Sequence, residues 1–172
     1  VRVASNVGAL SYTVKGWRDP SGRARRTTPG GETMEDLHAL RRRFDEEIVN
    51  GHDLDAIPKW FAPGFVDHVE IPGMPPGIEG VVARHQMLFT AMPDIHITIH
   101  DVIAEHDLTA ARFTITGTDT GGFMGMPPTG KAVTVTGMDF MRFRDDLIVE
   151  HWGEMDMMGL MQQLGLAGAP TP

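Results

Sequence analysis

From Thr33 onward the apolar positions keep two rhythms, first one of three to four residues and then one of two. Leu37, Leu40, Phe44 and Ile48 recur at helical spacing, with Thr33 placed to cap, Glu35 and Asp36 in the first turn and Gly51 at the end. Asp53 can cap a second, short helix carrying Leu54, Ile57, Trp60 and Phe61, stopped by Pro63-Gly64. Phe65 to Glu70 alternates as a strand, and Ile78 to Met92 reads as a third helix ended by Pro93. Four runs rich in β-branched and aromatic residues follow, Ile95 to Ala104, Thr109 to Thr118, Ala132 to Arg144 and Leu147 to Glu154. Glu105-His106-Asp107 and Arg144-Asp145-Asp146 are short enough for hairpins, whereas Asp119 to Lys131 is a longer Gly/Pro loop. Met157 to Leu164 forms a last short helix, and Ala167 to Pro172 a frayed tail.

Three helices followed by antiparallel strands predict an α+β domain, a strongly curved antiparallel sheet whose concave face the helices cover to form a cone. The length of 172 residues fits one such domain over 33–172. Residues 1–32 differ: Arg2, Lys15, Arg18, Arg23, Arg25 and Arg26 stand against only Asp19 and Glu32, with few periodic apolar positions. They predict a flexible basic extension, with an Arg-rich targeting leader or a dispensable upstream stretch as competing readings.

Composition narrows the function. A formal net charge of −8 opposes a polyphosphate partner, so nucleic acid is not expected. No apolar run approaches the roughly 18–20 residues that span a bilayer, and residues 1–32 lack the apolar core of a secretory signal, so no membrane partner and a cytoplasmic setting are expected. The absence of cysteine removes thiolate chemistry and disulfides. No nucleophile elbow, P-loop or dinucleotide fingerprint is present. His96 and His100 are the tightest histidine pair, but on a strand they stand about 13 Å apart, too far to share a metal ion.

The run Thr116 to Lys131, then Gly137-Met-Asp-Phe-Met-Arg-Phe143, Ile148-Val-Glu-His-Trp152 and Asp156, together with Asp53-Leu-Asp-Ala-Ile, Phe65-Val-Asp-His68 and Met92-Pro-Asp94, resembles the SnoaL-like polyketide cyclases and ester-cyclase homologues. The resemblance spans about residues 34–165 in order. It implies the nuclear-transport-factor-2-like cone, a homodimer or higher oligomer, a deep apolar pocket, no metal and no organic cofactor. It also implies that Asp139 matches the strand aspartate that serves as acid/base in intramolecular aldol closure. Where these cyclases often carry Gly-Thr-His-x-Gly, this chain has Gly117-Thr118-Asp119-Thr120-Gly121.

Alternation puts Asp139 on the face of Met141 and Phe143, where loss of water should raise the carboxyl pKa. By the same alternation Val149, His151, Gly153 and Met155 share the inner face of the last strand, and Ile148, Glu150, Trp152 and Glu154 the outer. His151 should then stand beside Asp139, and Gly153 leaves volume for a ligand. His68 at a strand end and His85, four residues before Phe89 on the third helix, are candidates for pocket polarity. Trp60, Phe89, Met141, Phe143 and Met155 are expected to contribute apolar lining. The resulting expectation is an enzyme acting on a small apolar carbonyl substrate by proton transfer, with Asp139 as acid/base and His151 assisting. An isomerase or hydrolase in the same pocket, or a non-catalytic binding module, stays open. The Asp–Arg–Asp set of limonene epoxide hydrolases, which share the broader fold, is not expected, since Arg112 is followed by Thr114 and Gly153 stands where a second Asp would fall. Ile148, Trp152, Phe140 and Met138 form an outer stripe expected to join two copies.

Overall fold

The computed structural model describes residues 26–27, 33–34, 36–69 and 71–166. The expected flexible extension and the frayed C-terminal tail fall mostly or wholly outside the described residues, as do Glu35 and Glu70. Within the extension, β1 (Arg26–Thr27) pairs antiparallel with β2 (Thr33–Met34). Helix α1 (Leu37–Asp45) therefore starts later than the reading from Thr33, and Asp36 caps it by accepting from the His38 N–H. Its end widens into a π-helical turn, Glu46–Asn50.

The second helix is only one turn, α2 (Ile57–Trp60), with Pro58 in its first turn and Asp53 accepting from the Ala56 N–H. Phe61 has already turned into β3 (Phe61–Asp67), whose pairing is interrupted between Phe61 and Val66, across Pro63-Gly64. Proline offers no ladder N–H, so an edge strand with an irregularity can hold it. Helix α3 (Gly77–Ala91) leads to β4 (His96–Glu105), β5 (Leu108–Thr118), a 3₁₀ turn at Phe123–Gly125, β6 (Ala132–Arg144), β7 (Leu147–Met155) and α4 (Met157–Leu164). In the β6–β7 turn both Asp145 and Asp146 take positive φ, 50° and 60°, the conformation that matches the twist of a two-residue hairpin.

The sheet order is β3-β7-β6-β5-β4, antiparallel except for the parallel β3–β7 pair, so the sheet is mixed rather than wholly antiparallel. The long excursion after β3, through α3 and strands β4 to β6, is what permits a parallel return in β7. Leu40, Phe44, Ile48 and Val81 from the helices bury against Met141, Phe143 and Ile148 of the sheet. A second cluster joins Ala91 and Met92 to Phe113, Ile115, Val133, Val135 and the α4 residues Leu160 and Leu164.

One feature overturns the face assignment on β7. The register shifts between Arg142 and Phe143, pairing Arg142 with Glu150 but Phe143 with Ile148. The extra residue puts Ile148 inside, fully buried, while His151 still faces inward. Ile148 therefore does not belong to the outer stripe.

Candidate active site

Two cavities lie between the helices and the inner face of the sheet. A deep chamber of about 110 Å³ is walled by apolar groups such as Phe44, Leu88, Phe89 and Ile97. A mouth of about 590 Å³ is lined by Val69, Ile71 and the flexible thioethers of Met87, Met124, Met155 and Met157. Arg84, Phe113, Asp139, His151 and Met155 line both and so form the neck between them. Phe113 can lie across the neck because β6 has Gly137 there; a Cβ would sit 2.5 Å from the ring.

Asp139, only 6 % exposed, is held from the helical side by Arg41. Arg41 follows Leu37 by four residues and precedes Phe44 by three, so it rides the apolar stripe of α1 and is 1 % exposed. Its Nη2 donates to Asp139 Oδ2 at 2.6 Å, and its Nη1 donates to Asp45, one turn along the helix. Asp139 Oδ1 is buried and has no hydrogen-bond partner among the described residues.

On the other side of Asp139 stands His151, its Nε2 3.8 Å from Asp139 Oδ2, an ion-pair rather than a hydrogen-bond distance. Its Nδ1–H donates to Asp67 Oδ1 at 2.9 Å, which fixes the tautomer and leaves Nε2 toward Asp139. Asp67 also accepts from the Val69 N–H and, at 3.0 Å, from Arg84 Nη1.

Three carboxylates (Asp45, Asp67, Asp139) and two guanidiniums (Arg41, Arg84) leave this buried chain one positive charge short of neutrality. A proton on His151 supplies it. Burial alone would lower the His151 pKa, but the carboxylates of Asp139 and Asp67 on either side of the ring raise it above the ordinary value. Burial pushes Asp139 up, and Arg41 and His151 more than offset this, holding the carboxyl below its ordinary value. The expected desolvated, partly protonated Asp139 is thus an ionised one. Asp67 is driven down to about 2, burial being overcome by His151 and Arg84. For Asp45 burial prevails and the pKa rises to about 6 against the pull of Arg41, whose own pKa is raised, so Asp45 is ionised at neutral pH yet the most easily protonated carboxylate of the set.

Among the other expected site residues, His85, Phe89, Met141 and Met155 line the deep chamber, and Gly153 and His68 the mouth. His85 donates from Nδ1 to the Val81 carbonyl at 2.8 Å, and burial lowers its pKa to about 4, so it is neutral. His68 lies at the rim rather than over the inner sheet face, its ring stacked on Trp152 at 4.7 Å and paired with Glu150. Trp60 and Phe143 line neither cavity. Trp60 packs edge-on against Phe44 at 5.5 Å, and Phe143 sits beyond the β7 bulge beside Ile148 in the core.

The four residues that sequence reasoning passed over, Arg41, Asp45, Asp67 and Arg84, carry a legible signal. Arg41 and Asp45 form an i,i+4 pair on an apolar stripe, and Arg84 lies between Val81 and Leu88 on the buried face of α3. Arg41 on α1 stands between the carboxylates of Asp45 and Asp139, whereas Arg112 on β5 pairs with Asp101 on the exposed face. Asp119, by contrast, lines neither cavity. It is fully buried and accepts from Gly122 N–H, Thr129 N–H and Thr129 Oγ1, fastening the 119–130 loop.

Comparison with known proteins was made on sequence and on structure. The model of the SnoaL-like polyketide cyclase family matches residues 39–164. A search of curated proteins found no match. Among solved structures, IdmH, a proposed polyketide cyclase from Streptomyces antibioticus, is 32% identical with a TM-score of 0.66, over 76% of this chain and 99% of that one. AclR, a proposed hydroxylase from Streptomyces galilaeus, is 30% identical with a TM-score of 0.67, over 77% of this chain and 86% of that one. TsrD from Streptomyces laurentii is 28% identical with a TM-score of 0.68, over 78% of this chain and all of that one. The chain belongs to the SnoaL-like polyketide cyclase family.

Proposed function

We propose that this protein catalyses cofactor-independent proton transfer on a small apolar carbonyl compound, as in intramolecular aldol closure. The observation that carries the reading is the Asp139 carboxylate: one oxygen is anchored to Arg41, the other has no hydrogen-bond partner among the described residues, and the residue lines both cavities where they meet. Asp139 Oδ1 takes the proton of the carbon between two carbonyls. The carbon so activated bonds to a second carbonyl of the same molecule, and the resulting alkoxide takes the proton on His151 Nε2. Transfer of the proton from Asp139 back to His151 resets the pair, with Asp67 holding the ring throughout. The mouth matches the usual size of small-molecule sites, and its methionines suit polycyclic or otherwise bulky apolar bodies.

A second reading, addition of water, is favoured by Asp45. It shares Arg41 with Asp139 and lines the deep chamber, and the two carboxyls have pKa values pushed apart. Asp139 would take a proton from water as the water oxygen bonds to carbon, and the fraction of Asp45 that is protonated would give one to the departing oxygen, so this reaction should quicken as pH falls toward 6.

The test is Asp139→Asn with β-dicarbonyl polyketide mimics and ring-fused ketones. Turnover should fall by roughly 10²–10⁴ with ligand binding kept. Retained turnover in a folded Asp139→Asn protein removes Asp139 from the mechanism. Hydration of an epoxide or enone without ring closure would select the second reading.

A further inference from the structure

We propose that Arg84 is the oxyanion-binding residue of the neck, receiving the enolate oxygen that forms when Asp139 removes a proton from carbon. The inference rests on the proton-transfer reading above and deepens it. As the C–H bond breaks, the proton passes to Asp139 Oδ1 and the electron pair moves through the adjacent carbonyl to its oxygen. The negative charge of Asp139 is thereby transferred to that oxygen, away from Arg41, and a cation must meet it there.

Three cations are at hand, and their donors can be accounted for. Arg41 is 1 % exposed, lines the deep chamber but not the mouth, and turns its two terminal nitrogens to Asp45 and Asp139. His151 is committed to Asp67 through Nδ1 and faces Asp139 through Nε2. Arg84 makes a single hydrogen bond among the described residues, from Nη1 to Asp67 at 3.0 Å, and its side chain is 16 % exposed. A guanidinium carries five N–H donors in a rigid fork, so Arg84 can serve Asp67 and an oxyanion together.

Its position fits the role. Arg84 lines the deep chamber and the mouth, and it also lines a third cavity of about 450 Å³ under the Ile71–Gly77 loop. No other residue lines all three. The charged groups around it are Asp67, Asp139 and His151, with His85 neutral beneath. Asp67 thus fixes the fork from one side and leaves the other turned to the cavities. This arrangement selects a ligand whose acidic carbon lies at Asp139 and whose carbonyl oxygen lies toward α3.

The experiment needs no turnover. Binding of 2-naphthol, neutral at pH 7, is compared with that of a nitro-substituted 2-naphthol ionised at the same pH, a planar mimic of the enolate. The ionised ligand should bind more tightly to the wild type, and that ratio should fall by about tenfold or more in Arg84→Gln, the contribution of a charged hydrogen bond. Arg84→Lys keeps the charge but not the fork, so the ratio must fall there too, and this variant decides the matter if Arg84→Gln does not fold. An unchanged ratio in both variants overturns the assignment. So does a ratio lost in His151→Gln and kept in Arg84→Gln, or tighter binding of 2-naphthoate than of the ionised naphthol, which would make the site a carboxylate receptor. Because these are binding ratios, the Arg84 assignment and the Asp139 mechanism fail separately.

Discussion

Arg41 on α1 reaches Asp139 on β6 across 98 positions of sequence and donates to it at 2.6 Å. This bond decides what kind of group Asp139 is. A carboxyl surrounded by Phe113, Met141 and Met155 alone would be held protonated and could give a proton; beside a guanidinium it is an anion that can only accept one. The helix, not the strand, sets the direction of the chemistry.

Arg41→Met should therefore strip two buried carboxylates of their counter-charge and cost about 3–5 kcal/mol. Asp45 and Asp139 would then titrate above their unfolded values. Groups raised in this way favour the folded state at low pH and lose that contribution as pH rises through the folded pKa. Urea melts at pH 5 and pH 7.5 should show a smaller deficit for Arg41→Met at pH 5. A deficit equal at both values would mean that the carboxylates find other partners.

His85 works in the opposite sense. Its folded pKa of about 4 lies below the ordinary 6.5, so between these values the unfolded chain takes a proton that the folded chain refuses. Stability is lost as pH falls through that window. Between pH 7.5 and pH 4.5 this histidine should account for a loss on the order of 2–3 kcal/mol. His85→Gln should flatten the wild-type pH dependence by that amount in the same urea series.

The strands were the easiest part to read. β6 and α4 run over the residues their patterns mark, because alternation and the Asp156 cap leave no competing assignment. The α2–β3 junction was harder, since Trp60-Phe61 suits a helix end and a strand start equally, and only the pairing of Phe61 with Ile148 decides. The charged relay was least visible. Sequence rules treat arginine as a surface residue, so Arg41 and Arg84 draw no attention in the sequence, although their positions on the apolar stripes point inward. Asp139 is marked by the resemblance as well as by alternation, and His151 by alternation alone, since both interrupt otherwise apolar strand faces.

Asp119 replaces the histidine that similar cyclases often carry, but here it fastens a loop. Asp119→Ala should orphan the Gly122 and Thr129 donors and cost about 2–4 kcal/mol. Binding of 2-naphthol at the neck should stay the same. Asp119→His should bring no gain in turnover, since position 119 lines neither cavity. Altered naphthol affinity in a folded Asp119→Ala protein would tie the loop to the pocket.

On the outer face of the sheet the register aligns Ile103 with Ala110, Ala110 with Phe140 and Phe140 with Trp152, an apolar row crossing four strands. Ile103 is 70 % exposed and Phe140 47 %. The neighbouring rows hold the Arg112–Asp101 and Arg142–Glu150 ion pairs. A second copy is the expected cover, and light scattering at micromolar concentration should give twice the 18.9 kDa chain mass. Phe140→Glu should yield the monomer; a monomeric wild type would leave the row without a partner.

The added residue in β7 separates two jobs that a regular strand would bind together. Below it Ile148 seals the floor of the core, and above it His151 and Gly153 face the neck. Without that residue the floor and the reactive wall would obey one alternation, and any slip in the Asp145-Asp146 turn would carry His151 to the outside with Ile148. The bulge acts as an expansion joint. Insertions or deletions near the turn can be taken up in its register, so this end of the hairpin can change length while Asp139 and His151 keep their places.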